Sequence, residues 1–145
     1  MTPVLIALVA TLAVGAAAWT FVARVRAKRE EARAALEQKL AGRRVLARDD
    51  RALYFGLGSR GGRQLRGNGC LAATDEEILF EMWVPRRSLS ISRARVLAVE
   101  GARAHAGKTI GFELVRVRFR EPDGREESAA WATREPGLWL SALRT

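Results

Sequence analysis

The side chains best equipped for chemistry gather between Gly56 and Gly69. Six glycines there surround Arg60, Arg63 and Arg66, spaced three apart, with Gln64 and Asn68 beside them. Glycine leaves backbone N–H groups free to converge on an anion, and guanidinium forks grip phosphate or carboxylate oxygens at two points. These five polar residues are the candidate anion, lipid or partner site. The alternative is a plain mobile hairpin loop in an arginine-rich chain, which has 22 Arg against three Lys.

The remaining motifs carry less. Gly56-Leu57-Gly58-Ser59-Arg60-Gly61 spells G-x-G-x-x-G, but a dinucleotide site needs that loop to open a helix, and the following residues are too glycine-rich for one. Gly101 to Thr109 (GARAHAGKT) resembles a phosphate loop with five residues between Gly101 and Gly107 where the cradle needs four, and a strand follows it. No nucleotide or other cofactor is expected. His105 reads as a surface residue, because no nucleophile or carboxylate is arranged around it. Cys70 reads as a small packing residue; as the sole cysteine it excludes an intramolecular disulfide and, with one His, a Cys/His zinc site. Arg116, Arg118 and Arg120, with Arg86, Arg87, Arg93 and Arg95, read as a solvated face paired with glutamates. One Arg-Gly-Gly triplet without interleaved exposed aromatics does not make a nucleic-acid site. With no paired carboxylates, triad or metal set, an enzyme is not expected.

The elements that position the loop begin with a charge boundary. The 145 residues carry a net charge of +9 and a mean hydropathy of −0.09, yet all the charged residues lie after position 23. A soluble single domain spanning the whole chain is thereby excluded. Pro3 to Ala23 is an uncharged run spanning about 31 Å as a helix, near the thickness of a bilayer's hydrocarbon core. Trp19 and Phe21 sit near its end, where aromatics favour the membrane interface. Arg24, Arg26, Lys28 and Arg29 follow at once, placed to contact the membrane surface. By the positive-inside rule the N-terminus faces outward and the remainder is cytoplasmic, at the cell (inner) membrane. A cleaved signal peptide wants its positive charges before the apolar run, not after it. Ala7, Thr11 and Gly15 recur every four residues, a spacing that leaves helix self-association open.

Residues 1–23 are thus read as the anchor, 24–42 as a charged helical stalk and 43–145 as a β-rich domain. The stalk lacks Pro and Gly until Gly42, pairs opposite charges at helical spacing (Arg26/Glu30, Arg33/Glu37) and reads as a solvated spacer. From Arg43 the apolar period becomes two. Strands are expected around Leu53 to Leu57, Gly69 to Thr74, Ile78 to Val84, Ser88 to Ser92, Val96 to Val99, Phe112 to Arg120 and Glu127 to Ala132. Phe112 and Leu114 break the alternation of Val115, Val117 and Phe119, which suggests a bulge. Pro136 opens a final helix with a Trp139, Leu140, Leu143 stripe.

Gly69-Cys70-Leu71-Ala72-Ala73-Thr74-Asp75 followed by Ile78-Leu79-Phe80, then Leu89-x-Ile91 leading to Val96 and Val99, the Asp123-Gly124 hairpin and the Trp139-x-x-x-Leu143 helix resemble the bacterial pleckstrin-homology-like domains, including GRAM-type members. The resemblance covers about 70% of the chain, from Arg43 to Arg144. It implies a mainly β fold with α: a partly open barrel of about seven strands with one end plugged by the C-terminal helix. It also implies a binding module for lipids, peptides or proteins. In that family the first loop often carries basic residues that grip phosphorylated headgroups. The loop here has no Lys and wider Arg spacing. The leading expectation is a membrane-anchored docking module for a protein partner or anionic lipid headgroups. The alternative is an assembly subunit of a membrane complex that forms homo-oligomers.

Overall fold

The computed structural model describes residues 2–144. A single helix, α1 (Pro3–Leu40), runs through both the apolar run and the charged segment, about 57 Å at 1.5 Å per residue. Its first half is long and apolar enough to cross a membrane, and every residue from 2 to 24 is exposed. Seven strands follow: β1 (Val45–Leu57), β2 (Gly67–Thr74), β3 (Glu77–Met82), β4 (Arg87–Ser92), β5 (Val96–His105), β6 (Lys108–Arg120) and β7 (Glu126–Ala132). The chain then closes with α2 (Pro136–Arg144). Neighbouring strands are antiparallel in the order β4-β3-β2-β1-β7-β6-β5. The curled sheet is a half-barrel with edges at β4 and β5, compatible with the pleckstrin-homology-like architecture.

Alternation along the strands sends Tyr54, Leu71, Ile78, Phe80, Met82, Ile91, Val115, Val117 and Trp131 inward, where they form the main core. Trp139 and Leu143 of α2 plug one end of it. Tyr54, Phe80 and Trp131 meet as an aromatic triad, with ring centroids 5.2 to 6.0 Å apart. Tilted and edge-on pairs of this kind hold their rings in place beyond simple area burial.

The charged segment is more than a solvated spacer. Ala32, Leu36 and Leu40, four residues apart on one helix face, are buried against Cys70, Ala72 and Leu79 on the outer face of β2 and β3. Strand β2 is therefore buried on both faces from Gly69 to Thr74. Charges flank the contact: Arg33 with Asp50, Glu37 with Arg48, Lys39 with Glu81, and Arg43 with Glu77. Glu81 is buried and also accepts from Ser88 and Arg86. Burial pushes its carboxyl up, but Lys39 and Ser88 outweigh burial and hold it below the usual value.

A second small core lies on the outer face, where Phe55, Leu114 and Ala130 are buried and Phe112 stands edge-on to Phe55 at 6.4 Å. Phe112 and Leu114 keep the parity of Arg116 and Arg118. The irregular pairing falls between Thr109 and Leu114, where β6 carries extra residues against β5. His105 is buried rather than at the surface, and its Nε2 donates to Gly56 O at 2.8 Å. The β5–β6 hairpin is longer than the alternation suggested and its end reaches β1, which accounts for the difference.

Burial, opposed by the bond to Gly56, pulls the His105 imidazole below its ordinary 6.5, with Arg116 and Arg66 adding to the effect and Glu127 opposing it. A histidine held neutral in the fold contributes stability that is complete above pH 6.5 and is lost as the pH falls through the lowered value. Thermal unfolding of the full chain in nonionic detergent is expected to drop between pH 7 and 5. The drop should shrink in His105→Gln, which keeps a donor for Gly56; an unchanged drop would show that other groups carry it.

Candidate functional site

Strand β1 feeds directly into two short 3-10 turns spanning Gly58–Arg63, with a kink at Gly61 (φ 61°, ψ −156°) that only glycine adopts readily. Gln64 braces this stretch. Its Nε2 donates to Leu57 O at 2.6 Å and Gly61 O at 2.7 Å, while its Oε1 accepts from Leu57 N at 2.7 Å. Gly56, at φ +93°, lies directly under this amide; a Cβ there would fall 2.2 Å from the Gln64 side chain. Ser59 adds a tie to Glu127 from both its hydroxyl and its N–H.

The candidate residues therefore separate. Gln64 spends its amide inside the loop. Arg66 turns inward: its Nε donates to Phe55 O at 3.0 Å and its guanidinium lies 5.9 Å from the Phe55 ring. Asn68 is exposed at the start of β2, and its carbonyl accepts from Trp83 N. Arg60 and Arg63 are exposed, and no ion-pair partner is found for either among the described residues. They border a cavity of about 370 Å³ at the mouth of the barrel, opposite α2. Its apolar floor is Tyr54, Leu57, Phe80, Met82 and Leu89, and Arg87 from the start of β4 completes the rim. Arg87 also lacks an ion-pair partner among the described residues. Burial pushes the Tyr54 hydroxyl up to about 12, with Arg60 and Arg87 pulling it the other way and Glu127 adding to the rise, so the phenol is neutral at physiological pH.

Arg87 was legible only as one of several scattered arginines. The signal that places it is its position at the start of β4, paired with Met82, which in turn pairs with Gly69 near the loop. Of the other arginines on the strands, Arg48, Arg116, Arg118 and Arg120 are ion-paired, while Arg51 and Arg103 have no ion-pair partner among the described residues; Arg86, in the β3–β4 turn, pairs with Glu81. Of the residues expected at the membrane surface, Arg24, Arg26 and Lys28 are exposed, with Lys28 paired to Glu31. Arg29 instead lies 5.5 Å from the Trp83 ring. Among the described residues, no three His, Cys, Asp or Glu side chains come together as a metal site needs.

Chemically, the mouth combines three guanidinium groups that lack an ion-pair partner among the described residues with an apolar, aromatic-floored depression; Arg60 also borders a second depression lined by Glu121, Glu126 and Glu127. It suits a ligand that carries an anionic group next to an apolar one. Arg60, Arg63 and Arg87 supply forked donors, and Phe80, Met82 and Leu89 supply the surface for the apolar part.

No protein-family description matches the chain, and no curated protein matches it. Among solved structures it is similar to the C-terminal domain of an unknown protein from Leishmania infantum, at 16% identity and a TM-score of 0.51. That match covers 74% of this chain and 86% of the other. The likeness is one of fold.

Proposed function

We propose that the chain is a single-pass membrane protein that holds a non-catalytic, GRAM-type docking module at the cytoplasmic face of a bacterial inner membrane. The mouth of the barrel takes up an anionic group with an apolar neighbour, on a lipid or on a protein partner. One observation carries this reading: Arg60, Arg63 and Arg87, none with an ion-pair partner among the described residues, stand around one apolar cavity. Most arginines elsewhere on the sheet are paired. Leaving three like charges without ion-pair partners around a depression works against stability and favours an acidic ligand. Tethering multiplies the effect, because an anchored module meets membrane-borne ligands at high effective concentration.

The test uses the full chain in nonionic detergent, titrated with dihexanoyl phosphatidylglycerol and followed through tryptophan fluorescence, since Trp131 packs on the floor residues Tyr54 and Phe80. Saturable binding that weakens with salt is expected, and it falls more than tenfold when Arg60, Arg63 and Arg87 become Ala, at about 1 kcal/mol per arginine. A photocrosslinker at Leu65, on the cavity rim, then reports the ligand class in cells from the mass of the adduct. If neither lipid binding nor any adduct depends on the three arginines, the reading fails.

A further inference from the structure

The contacts between α1 and the sheet fix which end of the barrel faces the apolar half of the helix. Along α1, Arg43 just beyond its end meets Glu77 at the start of β3, Lys39 meets Glu81, and Arg29 covers Trp83 just past the strand's end. Strand β3 thus runs back along α1 toward the apolar run. Strand β1 does the same, with Arg48 at Glu37 and Asp50 at Arg33. The β1–β2 loop with Arg60 and Arg63, and the β3–β4 turn with Trp83, Val84 and Pro85, therefore lie at the end nearest Ala23. The plug helix α2 lies at the far end, where Arg93 donates to both Thr74 O and Leu143 O.

The distances then place this end at the bilayer. Arg29 stands six residues past Ala23, about 9 Å along the helix, and a tilt of about 20° shortens that by under 1 Å. The headgroup layer is about 5–8 Å deep on each side of the hydrocarbon. Val84 follows Trp83 in the β3–β4 turn at this end, which places it at about the same depth, beside that layer. On β1, Leu57 lies seven residues beyond Asp50, about 18 Å along the axis for a strand tilted about 40°. Arg33 is only ten residues, about 15 Å, from Ala23. The end of β1 therefore reaches the level of Ala23, the edge of the hydrocarbon, and Gln64 and Arg66 fold the following loop back onto Leu57 and Phe55.

The surface presented there is suited to a lipid interface. Val84 is 56% exposed and Leu65 54% exposed, so two apolar side chains project from the two turns. Arg60, Arg63 and Arg87 line the mouth beside Leu65, and Arg24 and Arg26 lie on the membrane-side part of α1; none of the five has an ion-pair partner among the described residues. The acidic β6–β7 turn lies at this same end, on the other side of β1 from α1; Asp123 and Glu126 are paired with arginines, Glu127 is tied to Ser59, and Glu121 and Glu127 share a second depression with Arg60.

The geometry points to a bilayer-docking surface: α1 is a rigid strut that seats the barrel mouth on the membrane it spans, with Val84 and Leu65 in the interface and Arg60, Arg63 and Arg87 facing lipid phosphates. The occupant of this surface is the lipid headgroup layer itself. The inference rests on the reading of Pro3 to Ala23 as a membrane span, and it deepens the docking function by making the bilayer the source of the anionic group.

The test uses the full chain in nanodiscs, with Cys70→Ala and a bimane label at Val84→Cys or, at the far end, Arg95→Cys. Lipid spin-labelled at the fifth acyl carbon is the quencher. Quenching at position 84 is expected to exceed that at 95 several-fold, in phosphatidylcholine alone as well as with phosphatidylglycerol, because the helix sets the depth. Equal, weak quenching at both positions overturns the inference, and so does quenching at 84 that needs phosphatidylglycerol. The two proposals separate cleanly. Deep burial of position 84 without arginine-dependent binding of short-chain lipid upholds the seating and defeats the anion site. Binding with position 84 in water defeats the seating alone.

Discussion

Replacing Leu36 with aspartate is expected to peel the second half of α1 from the sheet and make Cys70 reactive. Leu36 is fully buried between the helix and the outer face of β2 and β3. Removing it forfeits about 2–3 kcal/mol of apolar burial. The carboxylate would then sit over Cys70, Ala72 and Leu79, and an unpaired buried charge costs several kcal/mol more. The cheaper outcome is detachment, since the inner core, with the Tyr54–Phe80–Trp131 triad and the α2 plug, does not depend on α1. Cys70 is the sole cysteine, is fully buried, and has its thiol pushed up by burial, so it is inert to maleimide in the native protein. In Leu36→Asp it should react within minutes at pH 8, whereas Leu36→Ala, at about 2–4 kcal/mol, gives an intermediate rate. Arg33→Ala, which removes a long and exposed pair to Asp50, should leave the rate unchanged. A thiol that stays protected in Leu36→Asp would show that the helix does not cover it, and the strut would go with it.

That contact also shows where sequence reasoning stopped. The apolar first half of α1, the seven strands and the final helix could be read because each has a strong local signal: an uncharged stretch of bilayer length, period-two alternation, and a proline-led apolar stripe. The docking of α1 has none. Ala32, Leu36 and Leu40 make only one large residue per turn at best, among charges that read as solvated. The missed clue lay in the partner strands. Gly69 to Thr74 has no polar side chain on either face before Thr74, and a strand apolar on both faces needs a cover on both. Glu81 hid the same fact on β3, because a lone acid in an apolar run looks exposed until Lys39, Arg86 and Ser88 are found around it. His105 was misplaced for a similar reason: its partner is a backbone carbonyl distant in sequence, and no side-chain pattern announces that.

In the loop, sequence alone could not separate residues that bind from residues that build, and Gln64→Ala draws that line by experiment. The substitution strips partners from Leu57 N, Leu57 O and Gly61 O together. Each unsatisfied group costs about 1–3 kcal/mol where water cannot replace the bond. The loop is half-exposed, so a total of about 2–4 kcal/mol is expected, confined to the stretch from Leu57 to Gln64. Amide exchange there should accelerate while the amides of β2 and β3 keep their protection. Gly56→Ala should do the same from the other side, by driving a methyl group into the Gln64 amide at a positive φ. The pair should be non-additive, because both changes remove one contact. Arg60 and Arg63 keep their charge in Gln64→Ala but lose their fixed positions, so ligand binding must then order the loop itself. Affinity for dihexanoyl phosphatidylglycerol should fall about tenfold or more with its salt dependence intact. Arg60→Ala should lower affinity and flatten the salt dependence together, because it removes a charge rather than a support. If Gln64→Ala binds as the native chain does, the loop's order is irrelevant to binding, and the arginines act as a diffuse charge rather than a built site.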